Sequence, residues 1–235
     1  MSTSTQASPE FLDKIVHFPD GASYNLLRPL TDYRACHDGT PLEARILYIC
    51  RRSDSDGDEE YVVKVKVQYV AFPFSRRPSK RSILTRKVRL PGNSEADRQA
   101  PAEGPSTTTA LELKALEIFR KANSPFAPQL LGFKRAVQSN DCPLPGGYIT
   151  YTLMNKVDGD SLFDLHYWAL PEDERQDIIQ HFLEALRWAF LDRPSFTHPD
   201  TDSSCRAIHG LGIQPEDRAL RNVMWDRQHR TWYVE

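Results

Sequence analysis

Apolar, β-branched and aromatic residues dominate two stretches, ILYIC at 46–50 and YVVKVKVQYV at 61–70, and the segment between them, RRSDSDGDEE, is polar with an Asp56-Gly57 turn signal. This pattern predicts a β-hairpin. In its second strand Val62, Lys64 and Lys66 share one face, because side chains alternate along a strand. From Thr109 the period lengthens to that of a helix: Leu111, Ala115, Ile118 and Ala122 form one row with Leu116 and Phe119 beside it. Thr109 and Glu112 have the spacing of a capping box, and the helix is expected to end near Asn123 and Pro125. Strands are expected at 129–135 and 147–157, around a loop containing DCPLPGG. A second helix follows Pro171, with acids in its first turn and Ile178, Ile179, Phe182, Leu183, Leu186 and Phe190 at helical spacing. NVMWD and TWYVE, joined by RQHR, predict a last short hairpin.

Composition narrows the classes. A chain of 235 residues that is 40% hydrophobic can fill a real core. A net charge of −2 supplies no global cationic field for nucleic acid or an anionic membrane. No apolar run approaches the roughly 20 residues of a spanning helix, and the opening MSTSTQASPE lacks the features of a secretory signal, so a soluble, cytoplasmic chain without a membrane partner is expected. Cys36, Cys50, Cys142 and Cys205 lie far apart and are read as free, mostly buried thiols; the histidines lack metal-binding spacing. The acidic turn does not make a calcium loop, since Glu59 stands where Gly is needed and Val65 where a bidentate Glu belongs. Residues 1–10 read as a disordered tail and 73–105, with five prolines, as a disordered surface insertion. The basic run RRPSKRSILTRKVR at 76–89 is read as a solvated stretch, with nuclear import or phosphate contact as the functional alternative. It lacks the interleaved aromatics of a nucleic-acid surface.

Chemistry concentrates in GIQPEDRALRNVMWD at 212–226, a loop between a long helix and a strand, in which Asp217 and Asn222 are separated by four residues. The segment resembles the catalytic loop of the protein-kinase-like superfamily, H-R-D-x-x-x-x-N followed by an apolar strand, with Pro215 and Glu216 in place of the His and Arg. An alternative register sets His209-Gly210 on the His-Gly-Asp of the aminoglycoside-phosphotransferase branch, but Leu211 and Glu216 would then fill the Asp and Asn positions. The likeness extends over roughly residues 20–235: NKVDGDSL at 155–162 is similar to the hinge, YVVKVK at 61–66 to the strand bearing the phosphate-pairing lysine, and Glu112 to the glutamate of the following helix. Among the branches the chain resembles fungal kinase-like proteins with an RNVxW-type loop.

The resemblance implies an α+β, two-lobed protein-kinase-like fold: a β-rich N-lobe over 11–155, and at 156–235 an incomplete, mainly helical C-lobe, truncated at its C-terminal end. It implies ATP and Mg2+ as cofactors, with Lys64 (Lys66 as the fallback) and Glu112 at the phosphates, Asp217 orienting an acceptor hydroxyl, and Asn222 holding the metal. Glu235 falls about where the metal-binding Asp of the next motif belongs, and either replaces it or precedes it. The acceptor, a protein or a small molecule, is left open, and a partner protein covering the incomplete C-lobe is an expectation. Two departures bear on activity. GASYNLLRPL and CHDGTPLEARIL stand where a Gly-rich loop belongs, and Ala219 stands where a lysine often supports the transferred phosphate. An ATP-dependent phosphotransferase and a catalytically inactive kinase-like interaction module are the two functions that follow.

Overall fold

A computed structural model of the chain describes residues 12–36, 41–55, 57–69, 100–124, 127–191 and 223–234. These fall into two compact units, within Met1–Lys114 with Leu130–Lys156 and within Ala115–Gln129 with Val157–Glu235.

The first unit is built on a seven-stranded antiparallel sheet. Its strands are β1 (Ile15–His17), β2 (Ser23–Pro29), β3 (Arg34–Cys36), β4 (Glu43–Arg52), β5 (Tyr61–Gln68), β6 (Leu130–Val137) and β7 (Tyr148–Asn155). They lie in the order β1-β2-β4-β5-β7-β6, with β3 also on β4. The expected hairpin is β4–β5, in register from Cys50↔Tyr61 to Glu43↔Gln68. Strand β4 begins before the apolar run, at Glu43, and that extension brings a carboxylate into the sheet. Arg51 and Arg52 hold Asp58 and Asp54 of the intervening acidic turn at 2.9 and 2.7 Å.

Alternation along β5 gives the sheet two chemically different buried faces. Val63, Val65 and Val67 enter an apolar core with Ile46, Tyr48 and Cys50 of β4 and Ile149, Tyr151 and Leu153 of β7. On the other face Lys64, Lys66 and Gln68 are buried beside Thr152 and Thr150, their register partners on β7 being those threonines for the two lysines. Strand β2 has a buried–exposed sequence without clean alternation, which is why the hydrophobic pattern gave no strand there.

Helix α1 (Thr107–Lys121) starts two residues ahead of the expected boundary. The capping box at Thr109 and Glu112 is not formed: Ser106 is the cap, its Oγ accepting the Thr109 N–H at 3.1 Å, and Glu112 points elsewhere. Asn123, with φ of 49°, ends the helix in the left-handed conformation that Asn tolerates. Leu111, expected in the apolar row, is 50% exposed, while Leu116 is buried. The reason is the polar sheet face, which Thr109 and Glu112 meet through hydrogen bonds.

Two glutamines close the far end of this sheet. Gln68 donates from Nε2 to the Ala100 carbonyl at 3.1 Å and accepts the Ala102 N–H at 3.0 Å. Gln138 donates to the Gln68 and Tyr148 carbonyls at 2.7 and 3.0 Å and accepts the Leu144 N–H at 2.9 Å. The end of the segment read as a surface insertion is thus hydrogen-bonded to the sheet; its residues 73–99, with the basic run at 76–89, lie outside the described residues, as does the tail at 1–10.

In the second unit α2 (Glu172–Leu191) stands where the apolar spacing placed it, after a short 3-10 turn at Tyr167–Ala169. Strands β9 (Val223–Asp226) and β10 (Thr231–Val234) form the expected terminal hairpin, and β8 (Asp160–Ser161) adds to β9. Leu162, Tyr167, Ile178 and Trp225 form its core. No described helix is long and apolar enough to cross a membrane. Among the described cysteines Cys50 and Cys142 are free thiols, and both are buried.

Candidate functional site: a buried charge cluster on the first sheet

Lys64 and Lys66 project from β5 on the polar face, with side chains only 4% and 7% exposed. Burying an ammonium group is costly unless a carboxylate and hydrogen bonds meet it. The carboxylate is Glu112, on the second turn of α1. Lys64 Nζ donates to its Oε1 at 2.7 Å and Lys66 Nζ to its Oε2 at 2.6 Å. Each carboxylate oxygen therefore serves a different lysine.

Behind this pair lies a second carboxylate. Glu43, at the start of β4, is 4.0 Å from Lys66 Nζ through Oε2, and the same oxygen accepts from Thr109 Oγ1 at 2.5 Å. Its Oε1 accepts from the Tyr148 hydroxyl at 2.6 Å and the Ser106 N–H at 3.0 Å. Lys66 also donates to Thr109 Oγ1 at 3.0 Å. Among the described residues, β4, β5, β7 and the start of α1 thus bring two ammonium and two carboxylate groups together.

The electrostatics follow from this geometry. Burial by itself raises the Glu112 carboxyl, but the charges of Lys64 and Lys66 and their hydrogen bonds outweigh it and bring it down to about 2. Burial, reinforced by the hydrogen bond and charge of Glu43, pushes the Tyr148 hydroxyl far above its ordinary value, so it stays protonated and keeps donating. Chemically, a buried lysine fixed by a carboxylate on a neighbouring helix offers a positioned cation, the donor type that pairs with a phosphate oxygen.

Of the residues singled out in the sequence, Lys64, Lys66 and Glu112 come together. Asp217, Asn222 and Glu235 lie outside the described residues, as does Ala219. Sequence reasoning missed Glu43, Ser106, Thr109 and Tyr148 as partners in the cluster. A signal existed in the polar residues at 64, 66 and 68 on one strand face, which require buried partners, but only the register of β4 against β5 supplies Glu43.

The second unit holds its own set of metal-ligand-type side chains, Asp158, Asp226 and His229, with one ligand atom of each within 4.8 Å of the others. Asp226 accepts the Gln228 and His229 N–H groups at 2.9 and 3.1 Å and meets His229 Nδ1 at 2.6 Å, the bonding of a capped turn between β9 and β10. Burial raises the Asp226 carboxyl, and the bonds from His229 and Gln228 outweigh it, leaving it below its ordinary value.

No family model matches the chain, and no curated protein matches it. Among solved structures it is similar to "Crystal structure of Rad53 1-466 in complex with AMP-PNP", with 14% identity and a TM-score of 0.41. The match covers 86% of this chain and 37% of that one, so the chain spans little more than a third of the length of the structure it matches. A likeness this distant carries no weight in assigning a function, and the buried cluster stands on its own geometry.

Proposed function

We propose that the chain is a kinase-like phosphotransferase module that binds ATP with Mg2+ and transfers a phosphoryl group to a hydroxyl of a protein or small molecule. The observation that supports this reading is the Lys64–Glu112 ion pair, formed between residues 48 positions apart, one on a central strand and one on the helix beside it. In this reading Lys64, steadied by Glu112, neutralises phosphate oxygens, Asp217 orients the acceptor hydroxyl, and Asn222 with Glu235 holds the metal. The donor chemistry of Lys64 fits a phosphate; the metal-holding residues are assigned from the loop spacing alone.

A specific observation favours a second reading, a non-catalytic kinase-like module that uses the fold as an interaction surface. Lys64 is enclosed at 4% exposure, and β2, SYNLLRP, has no glycine that would let the backbone approach a phosphate closely. One experiment separates the two. Thermal shift and phosphoryl transfer or ATP hydrolysis are measured with Mg2+ and ATP for wild type, Lys64→Ala and Asp217→Asn. The phosphotransferase reading expects a shift lost in Lys64→Ala and a rate reduced at least about 100-fold in Asp217→Asn. No shift and equal rates would select the interaction module.

A further inference from the structure

The cluster contains one lysine more than a single lysine–glutamate pair needs. Glu112 divides its two oxygens between Lys64 and Lys66, at 2.7 and 2.6 Å. Lys66 is also tied to the start of α1 through Thr109 Oγ1 at 3.0 Å and faces Glu43 at 4.0 Å. Glu43 in turn fixes Thr109, Ser106 and Tyr148. If Lys64 turned toward an anion, Glu112 would keep a buried cationic partner, and Lys66 would keep two carboxylates. A buried carboxylate with no partner would otherwise be strongly destabilising.

We propose that Lys66 is the positioning residue of this site: with Glu43 and Thr109 it holds Glu112, and with it the first two turns of α1, against β5 independently of Lys64. Helix docking and anion contact are thereby divided between two lysines on one strand face. Lys64 is left as the residue whose partner can change, and Lys66 as the one whose partners stay fixed. The anion half of this assignment rests on the phosphate-binding reading above; the docking half does not.

The test measures amide hydrogen exchange of residues 107–114 in the full chain for wild type, Lys64→Met, Lys66→Met, Lys66→Arg and Glu43→Gln. Lys64→Met is expected to stay within about twofold of wild type, whereas Lys66→Met and Glu43→Gln exchange about tenfold faster or more, and Lys66→Arg restores most of the protection. If Lys66→Met unfolds the chain, Glu43→Gln and Lys66→Arg decide. Equal deprotection by Lys64→Met and Lys66→Met, or none by Glu43→Gln, overturns the assignment. The same proteins are then titrated with Mg2+ and ATP. Lys66→Met is expected to weaken binding about tenfold with rescue by Lys66→Arg, and unchanged affinity beside raised exchange would overturn the positioning role. Absence of binding by wild type would count against the phosphate reading, while the exchange series would still decide the role of Lys66.

Discussion

Glu112 is the residue on which the charge balance of the described cluster turns, because it contacts both buried lysines at hydrogen-bond distance. Glu112→Gln leaves two enclosed ammonium groups facing a neutral amide. The expected loss is about 3–5 kcal/mol in urea unfolding, the range for breaking a buried pair from one side. Lys64→Met leaves Lys66 with its carboxylates, so a clearly smaller loss is expected from the same measurement. The pH dependence has a definite sign. The Glu112 carboxyl is lowered from 4.5 to about 2 in the folded chain, so its ionisation stabilises the fold above pH 4.5, and that contribution is lost as pH falls toward 2. The stability difference between wild type and Glu112→Gln should therefore narrow over that acid range; a gap independent of pH would refute the assigned pairing. At this scale the sequence was partly legible. Strand alternation put Lys64 and Lys66 on one face, and the resemblance implied Glu112 as their partner. Glu43 and Tyr148 stayed hidden because their meeting depends on two strand registers rather than on any local spacing.

Elements with a clear period were readable: the β4–β5 hairpin, β6, β7, α2 and the β9–β10 hairpin lie about where the pattern put them. The errors fall where polar groups replace apolar ones in the interface. Helix α1 was oriented by its leucines, yet Leu111 is half exposed and the inward residues at its start are Thr109 and Glu112. A two-residue strand such as β8 has no period to detect, and its position depends on the glycine before it. Gly159 has φ of 105°, and a Cβ built there would lie 2.5 Å from the Trp225 carbonyl oxygen. Gly159→Ala therefore combines a disfavoured backbone with a clash against β9, where neither chain can yield without moving Trp225 out of its core. A loss of about 2–4 kcal/mol is expected in thermal or urea unfolding of the second unit. A neutral result would mean that β8 does not pack against β9 as described.

For the molecule as a whole, class and architecture were more legible than chemistry. The pattern gave hairpins, strands and two helices, the resemblance implied an α+β class, and the described elements have that α+β character. The acidic and amide residues at 217 and 222, which first suggested a reaction, lie outside the described residues, so the chemical case passes to the lysine–glutamate cluster of the first unit. A different property of the whole chain follows from Gln68. This one side chain ends β5 and also grips the backbone at Ala100 and Ala102, where the chain returns. Two described points of the chain, 32 and 34 positions beyond Gln68, are therefore fastened at a single amide. Gln68→Ala should release both points together and lower the urea midpoint clearly. A strand end and a distant backbone segment thus share one fastener, so a single side chain sets whether they hold or part as a pair.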